Sequence, residues 1–176
     1  MTALIGNESV VRKLAAAYRD GDPLPVTVLR IGAEQTSVVV FSAGNGPAAS
    51  IDLRIGTAQL SSEYFRRYPP TPLALENAIM VVEDEVARTR TLIANGSTLV
   101  TDDASVREIA RVAGLDDLPV MILRREVVEQ TFERLVAASL GRPESGLPAR
   151  QSFAAALLIL REFMHHLGFS SISIVG

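Results

Sequence analysis

The chain contains no cysteine and only two histidines. The absence of cysteine excludes disulfide bonds, thiol nucleophiles and thiolate metal sites. His165 and His166 are adjacent, so on a helix they point in different directions and do not form the i, i+4 pair that chelates zinc. Neither histidine lies in a pattern that indicates a serine, histidine and carboxylate triad. The sequence therefore identifies no catalytic residue, and we expect no metal ligands.

Lysine is also scarce, and negative charge is in slight excess. The formal net charge is −3, and of the seventeen basic residues only Lys13 is a lysine. The sequence pI of about 5.4 argues against a broadly basic nucleic-acid surface and against adsorption to anionic lipid. We therefore expect partners among proteins or small molecules, and neither nucleic acid nor membrane.

Long apolar runs are missing as well. The longest one, Ser152 to Leu160, is too short to span a bilayer and is followed at once by Arg161 and Glu162. The first residues lack a basic region followed by an apolar core, so no signal peptide is visible. The sequence therefore favours a cytoplasmic location.

What the chain does have is enough apolar sequence for one core. At 176 residues and 48% hydrophobic composition, it is predicted to be a single domain, residues 1–176. Within it, residues 1–24 are interpreted as an N-terminal helix (Glu8 to Arg19, with Asn7 as N-cap) and a turn, and residues 25–176 as the main body.

The first part of that body reads as three antiparallel strands. The predicted strands are Val26 to Ile31, Thr36 to Ser42 and Ala48 to Ile55, and a hairpin turn over Ala43 to Pro47 joins the last two. The middle strand is apolar on both faces, which predicts a position inside the sheet.

After Gly56 the apolar period changes from two to about 3.6, which indicates helices. Thr71 as N-cap and Pro72 at the first helical position open the second of them. The predicted helices are Thr57 to Arg67, one from Pro72 on, Asp103 to Ala113, Arg125 to Leu140 and Arg150 to Leu167, and the predicted strands are Thr91 to Ala94, Leu118 to Leu123 and Ser171 to Val175. This order predicts an α/β fold, namely a single ribonuclease H-like lobe of the actin-like ATPase type with a mixed sheet and helices on both faces.

The loop between the first two strands, Leu29 to Thr36, is the most informative segment. Actin-like phosphotransferases and phosphatases hold phosphate in such a loop, with an acidic residue and several glycines whose backbone N–H groups face the anion. Here the acidic position is Arg30, and two expected glycines are Ala33 and Glu34. The sequence keeps the strand–turn–strand arrangement of a phosphate loop but replaces residues that would bind the phosphate.

These residues resemble the exopolyphosphatase and guanosine pentaphosphate phosphatase family, from about Val26 onward. The family's Asp-Ile-Gly-Gly-Gly-Ser-Thr-Glu loop corresponds to Arg30 to Ser37, and its second glycine-rich turn to Ala94 to Thr98. The other matching positions are Gly56, Leu60, Glu63, Phe65, Gly146, Leu147, Arg150, Ala155 to Leu167 and Ile172 to Val175.

The departures from the family pattern concern activity. Arg30 and Ser37 replace the two carboxylates that help organise the metal and the attacking water. Ala33 and Glu34 add side chains where a phosphate needs close backbone approach, and Glu34 would repel it. The resemblance also covers only one of the family's two lobes, whereas the active cleft lies between them.

The residues that could still bind a phosphate ligand are Gly32, Thr36, Gly96, Ser97, Thr98 and Arg30. Each also has a structural interpretation: Gly32 and Thr36 shape a turn, and Gly96 to Thr98 cap a helix. Arg30 either contacts a phosphate directly or, as we expect, reaches solvent or Glu34.

The remaining charged clusters favour structural roles. Glu83 to Glu85 is predicted to be a solvated helix face with Glu83 near Arg88 or Arg90. Asp102 and Asp103 are placed to start a helix, and His165 to complement the negative end of one.

Two hypotheses follow. The first is a catalytically degenerate relative of the family that acts as a binding or assembly module, as a homodimer, without a cofactor. The alternative is a residual phosphatase or a binder of polyphosphate or guanosine pentaphosphate, with a cleft rebuilt between two copies and with Mg²⁺ as the cofactor.

Overall fold

A computed structural model describes residues 9, 25–41, 47–142 and 146–176. The predicted helix over Glu8 to Arg19 and the predicted turn over Ala43 to Pro47 lie outside these ranges, except for Ser9 and Pro47. The described strands are β1 (Val26–Ile31), β2 (Thr36–Phe41), β3 (Pro47–Leu53), β4 (Thr98–Thr101), β5 (Val120–Arg124) and β6 (Ser171–Val175). The described helices are α1 (Thr57–Glu63), α2 (Pro72–Ala87), α3 (Ala104–Val112), α4 (Arg125–Ser139) and α5 (Gln151–His166).

The six strands form one mixed sheet in the order β3-β2-β1-β4-β6-β5. Strands β1, β2 and β3 form the predicted antiparallel meander, with Leu29 opposite Val38 and Val38 opposite Ile51. Strand β4 pairs in parallel with β1 and with β6, and β5 closes the other side antiparallel to β6. The last strand in the sequence therefore lies inside the sheet.

The main core lies on one face of this sheet. Alternate strand residues such as Leu29, Val38 and Ile174 join buried residues of all five helices in a single cluster. Helix α5 contacts each of the other four helices, and every residue from Phe153 to Leu160 is buried, as expected for a helix that is apolar all round.

The opposite face of the sheet carries a smaller apolar cluster. It consists of Val28, Val39, Phe41, Val100 and Val175, all from strands. Among the described residues no helix contributes to this cluster. Helices on the second face, which the sequence also predicted, are thus not seen in the described part of the chain.

Two helix starts follow from capping. The Thr71 hydroxyl accepts a hydrogen bond from Ala74 N at 3.1 Å, and Pro72 follows it, as predicted. Asp103 caps α3 in the same way, at 2.8 Å from Ser105 N. Both predictions are confirmed.

One predicted strand is wrong. Residues Thr91 to Ala94 lie in turns, with Leu92 N bonded to Thr89 O, and the strand is Thr98–Thr101 instead. Leu99 and Val100 are fully buried there, so the sheet uses the second of the two short apolar runs. Helix α1 also ends at Glu63 rather than Arg67, because Tyr64 N and Phe65 N both turn back to Leu60 O.

Within the described ranges, no helix is both long enough and apolar enough to cross a membrane.

Candidate functional site

The loop between β1 and β2 is a tight turn. Gly32 N donates a hydrogen bond to Gln35 O at 2.9 Å, and all four residues from Gly32 to Gln35 are exposed. A Cβ atom at Gly32 would lie 2.6 Å from Gln35 O, which is closer than real Cβ contacts allow. Glycine is therefore required here by space within the turn itself.

This loop packs against the start of helix α1. Thr57 N donates to Gly32 O at 2.9 Å, and Ala58 N donates to Ala33 O at 2.9 Å. Gln59 N lies 3.4 Å from the same Ala33 oxygen. These first-turn N–H groups are the donors with which a helix N-terminus binds phosphate. In this chain the loop's own carbonyl oxygens accept their hydrogen bonds.

Arg30, at the end of β1, is bound to Asp102. Its Nε and Nη2 atoms donate to the two carboxylate oxygens at 2.8 and 2.6 Å. Both side chains are a little over one quarter exposed. The expectation that Arg30 reaches solvent or Glu34 is wrong, because the parallel pairing of β1 with β4 places Asp102 beside it. A bidentate pair of this kind uses the fork of donors that would otherwise contact a phosphate.

Asp103 links the same strand to helix α3. One carboxylate oxygen accepts from Ile31 N at 2.7 Å, and the other accepts from the backbone N and hydroxyl of Ser105 at 2.8 and 2.7 Å. The sequence predicted the cap but not the bond to Ile31. This carboxylate is therefore committed to backbone and hydroxyl donors.

Thr36 is fully buried, and its hydroxyl donates to Ile55 O at 2.8 Å. This bond ties the start of β2 to Ile55, two residues after the end of β3. The hydroxyl points into the protein, away from the exposed loop residues.

Gly96, Ser97 and Thr98 lie at the opposite end of the sheet. Thr98 N donates to Pro25 O at 2.9 Å, and the Ser97 hydroxyl is 2.7 Å from the Thr27 hydroxyl. Thr98 is in register with Val26, at the start of β1, whereas Gly32 follows the end of that strand. A six-residue strand spans about 16 Å between these ends. One chain therefore does not bring the two groups of predicted ligand residues together.

The residues that do adjoin the β1–β2 loop were not predicted as site residues. They are Asp102, Asp103 and Ser105, which follow β4 just as Gly32 follows β1. The signal that could have found them is the apolar run Leu99-Val100 before the two aspartates. The sequence pattern favours a strand in the preceding apolar run, Thr91 to Ala94. With the strand there, the two aspartates do not follow a strand end.

A cleft of about 440 Å³ opens beside this end of the sheet. It is lined by Ile31, Thr57, Ala104, Ser105, Glu108, Arg111, Arg150, Ser152, Phe153 and Ala156. Arg150 forms an ion pair with Glu108, and Arg111 lies 3.4 Å from Asp117, so both guanidinium groups already have carboxylate partners.

A larger cleft, of about 760 Å³, lies at the other end of the sheet. Gly96, Ser97 and Thr98 line it together with Arg90, His165 and His166. The C-terminal end of α5 borders it, and carbonyl groups at a helix C-terminus disfavour an anion.

The two histidines contact carboxylates that Arg161 also binds, so His165 does more than lie at the end of the helix. His165 Nδ1 is 3.0 Å from Glu129, and His166 Nε2 is 3.0 Å from the fully buried Glu162. Arg161 bridges both carboxylates. The expected pairing of Glu83 with an arginine is wrong: Glu83 lies 3.5 Å from His166, and Arg88 pairs with Glu85.

This network shifts two pKa values. Burial alone raises the pKa of Glu129, but the hydrogen bond and charge of Arg161, followed by those of His165, outweigh it and hold the pKa below its ordinary value. Burial alone lowers the pKa of Arg161, and the bonds and charges of Glu129 and Glu162 outweigh it, so that pKa is raised. Both groups are therefore held in their charged forms.

The described residues contain no group of three or more histidine, aspartate or glutamate side chains arranged to hold a metal ion. At the β1–β2 loop, the guanidinium of Arg30 stands where the resemblance implies a metal-organising carboxylate. The side chains present there do not fit a magnesium site.

No family model and no curated protein sequence matches the chain. Solved structures do match in fold. The type II variant of the Aquifex aeolicus Ppx/GppA phosphatase superposes with a TM-score of 0.71 at 15% identity, over 93% of this chain and 56% of that one. An exopolyphosphatase from Cytophaga hutchinsonii gives a TM-score of 0.71 at 12% identity, over 96% of this chain and 58% of that one.

At these identities the likeness shows the fold. The chain has the fold of a single lobe of Ppx/GppA phosphatases, which have the actin-like ATPase fold, as the sequence predicted. It spans a little over half the length of the structures it matches.

Proposed function

We propose that this chain is a non-catalytic relative of the exopolyphosphatase and guanosine pentaphosphate phosphatase lobe and acts as an assembly module, as a homodimer. The observation that carries the proposal is that the groups suited to bind phosphate at the β1–β2 loop are occupied by the chain itself. The donors of α1 bond to Gly32 and Ala33, and Arg30 bonds to Asp102.

The loss of metal-organising carboxylates supports the same conclusion. Metal-assisted phosphoryl transfer needs carboxylates to hold the cation and to orient the attacking water. The two loop positions for them are Arg30 and Ser37, which face each other across β1 and β2. Asp102 and Asp103, which follow β4 beside the loop, are held by Arg30 and by backbone donors.

Assembly is supported by the exposed apolar side chains. Leu73, Met80, Leu118, Ile122 and Leu140 are each more than half exposed. Leu73 and Met80 are seven residues apart on one face of α2, and Leu118 and Ile122 lie at the β5 edge of the sheet. Apolar side chains grouped in this way are typical of surfaces that another protein covers.

A second candidate function is phosphate-ligand binding or residual phosphatase activity. The 440 Å³ cleft favours it, since Arg111 and Arg150 line it beside the loop, where a bound phosphate would replace Asp117 and Glu108 as their partners. Because Gly96 to Thr98 lie at the far end of the sheet, a shared cleft would need the loop end of one copy to meet the far end of the other. Mg²⁺ belongs to this alternative only.

The deciding experiment combines phosphate release and thermal shift. Purified protein is incubated with polyphosphate or guanosine pentaphosphate, with and without Mg²⁺, and analysed in parallel by sedimentation. We expect no phosphate release, no change in Tm and a dimer.

A rise in Tm with either ligand would contradict the proposal and favour the second candidate. In that case the R111A/R150A double variant should lose the shift, while R66A/R67A, which removes two exposed arginines away from the cleft, should keep it.

A further inference from the structure

One row of side chains across the second face of the sheet is buried in its middle and exposed at both ends. The strand registers place six residues, one from each strand, side by side on the face opposite the main core. In strand order from β3 to β5, the row reads Ser50, Val39, Val28, Val100, Ser173 and Ile122. The first is exposed and the last is 52% exposed, whereas each of the four between them is at most 5% exposed. A second layer therefore covers the middle of this face.

Within the described ranges, no helix or loop joins the apolar cluster of this face. The cluster consists of strand residues, and its partly buried neighbours, Val26 and Val120, also belong to strands. The chain outside the described ranges comprises residues 1–8, 10–24, 42–46 and 143–145. The last two of these segments read Ser-Ala-Gly-Asn-Gly and Pro-Glu-Ser, so they are short and hold no large apolar side chain. The N-terminal segment is the one with enough apolar side chains to cover the face.

Residues 8–19 have the sequence pattern of a helix with one apolar side. At about 100° per residue, four apolar side chains fall within one sector of about 100°, namely Val10, Val11, Leu14 and Tyr18. Ser9 falls on the opposite side. It is the residue of this segment that the structure describes, and it is helical and exposed. Its exposure fits a helix that turns its apolar side inward.

The segment also has the length and the connection that this face requires. A helix over residues 8–19 is about 18 Å long and, with its side chains, about 10 to 12 Å wide. At about 4.8 Å per strand, one such helix covers the middle strands and leaves the edge strands exposed. Residues 20–25, which span up to about 20 Å when extended, lead to Val26, and Val26 packs against the apolar cluster itself. The segment therefore reaches the second face of its own chain.

We propose that residues 8–19 lie as a helix across the middle of this face, with their apolar side against Val28, Val39 and Val100. The predicted N-terminal helix is then the second layer of the fold and part of its core. Because the chain closes this face with its own segment, an assembly partner has to use other surfaces, such as the exposed apolar side chains of α2.

The first test uses the absence of cysteine, because an introduced thiol is then the only one in the chain. Leu99 and Val100 are adjacent in β4, are both almost fully buried and face opposite sides of the sheet. The rate at which a maleimide labels V100C reports on the second face, and the rate for L99C reports on the main core. We expect both thiols to be labelled slowly. Adding L14D should speed the labelling of V100C roughly tenfold, because a buried charge opens the cover more often, and should leave that of L99C unchanged.

S9D is the matched control for L14D. It adds the same charge to the same segment, but on the exposed side, and should leave both labelling rates unchanged. Fast labelling of V100C without a second substitution, or equal effects of L14D and S9D, would overturn the proposal. Labelling of V100C that becomes faster on dilution would overturn it as well, because a second copy would then supply the cover.

The second test does not depend on a destabilising variant. A benzophenone amino acid replaces Tyr18, and irradiation links it to the residues that it touches. We expect links to β1, β2 or β4 within one chain, mapped by mass spectrometry, and no such links from the same amino acid at position 9. The absence of links to these strands, or links only between two chains, would overturn the proposal, also where L14D speeds the labelling of both thiols.

Discussion

At the scale of single residues, Gly56 sets how closely the β1–β2 loop approaches helix α1. Its φ of −145° and ψ of 166° are extended values that any residue adopts. A Cβ atom there would lie 2.2 Å from Ala33 O, a backbone atom that is itself bonded to the helix. Space alone therefore requires glycine at this position.

We predict that G56A destabilises the protein by about 3 kcal/mol, because the loop must separate from α1 to make room. The matched variant G96A tests the opposite case. Gly96 has a φ of +75°, and an added Cβ atom would have no other atom within 4 Å, so only backbone strain of about 1 kcal/mol is expected. Urea unfolding measures both values, and equal losses would contradict the role of space at Gly56.

The partner of Arg30 shows what sequence alone does not reveal at this scale. The arginine and Asp102 are 72 positions apart in the chain. Predicting their contact requires the parallel pairing of β1 with β4 and the correct position of β4. By contrast, the capping role of Asp103 depends on neighbouring residues only and was predicted.

At the scale of elements, Asp103 joins a helix to a strand, whereas Thr71 caps one helix. The Thr71 hydroxyl satisfies Ala74 N. Asp103 satisfies two groups of Ser105 and also Ile31 N of β1. The loss of Asp103 therefore leaves donors unsatisfied on two elements.

We predict that D103A costs about 2 to 3 kcal/mol and T71A about 1 kcal/mol of the free energy of unfolding. Asparagine at position 103 keeps one acceptor oxygen, so the loss of stability from D103N should lie between the losses from D103A and T71A. Chemical denaturation of the three variants checks the order. A loss from T71A as large as that from D103A would show that the bond to Ile31 contributes little.

Helices α4 and α5 are joined by Glu129, Arg161 and His165, which makes their contact sensitive to acid. The pKa of Glu129 lies below its ordinary value of 4.5 in the folded protein. A carboxyl group with a lowered pKa stabilises the fold above its unfolded pKa, and this stabilisation is lost as the pH falls through the folded value.

We therefore predict that E129Q lowers Tm at neutral pH and that its difference from the unaltered protein shrinks as the pH falls below about 4.5. Thermal melts between pH 3 and pH 7 measure this difference. E126Q, at an exposed position of the same helix, serves as the control. A difference that is constant with pH would rule out the ion pairs as its cause.

Most elements could be predicted from local pattern, but β4 could not. The meander and the helices have clear periods of two or 3.6 and recognisable caps or turns. Two short apolar runs, Thr91 to Ala94 and Thr98 to Thr101, compete for one strand, and both are of strand length. The second run, Thr98 to Thr101, forms the strand between β1 and β6. Which of the two runs takes this place depends on tertiary packing.

At the scale of the whole molecule, helix α5 is the centre about which the other helices pack. Leu157 lies in the middle of its buried run and is fully buried. Its side chain belongs to the cluster shared by all five helices. Loss of its apolar contacts should therefore affect the whole fold.

We predict that L157A lowers the free energy of unfolding by about 3 kcal/mol, because it leaves a cavity in close-packed surroundings. L73A removes the same atoms from a side chain that is 65% exposed and should cost less than about 0.5 kcal/mol. Urea unfolding gives both values, and comparable losses would show that α5 is not the centre of the core.

The distance between the two loops of the candidate site depends on the fold of the whole molecule. The loop at Gly32 and the turn at Gly96 both look like phosphate loops in the sequence, and their order along the chain says nothing about distance. The parallel register of β1 and β4 separates them, since one follows a strand and the other precedes one. Local motifs predicted the two turns but not their placement at opposite ends of the sheet.

The position of β6 between β4 and β5 affects the order in which the molecule assembles during synthesis. Among the described strands, β6 is the only neighbour of β5 in the sheet, and β6 is made some fifty residues later. On a translating ribosome, β1, β2 and β3 can already pair while β5 still has no strand beside it. The apolar residues of β5 therefore stay exposed until residues 171–175 emerge and insert beside them. During synthesis they are accessible to chaperones for longer than the apolar residues of β1, β2 and β3.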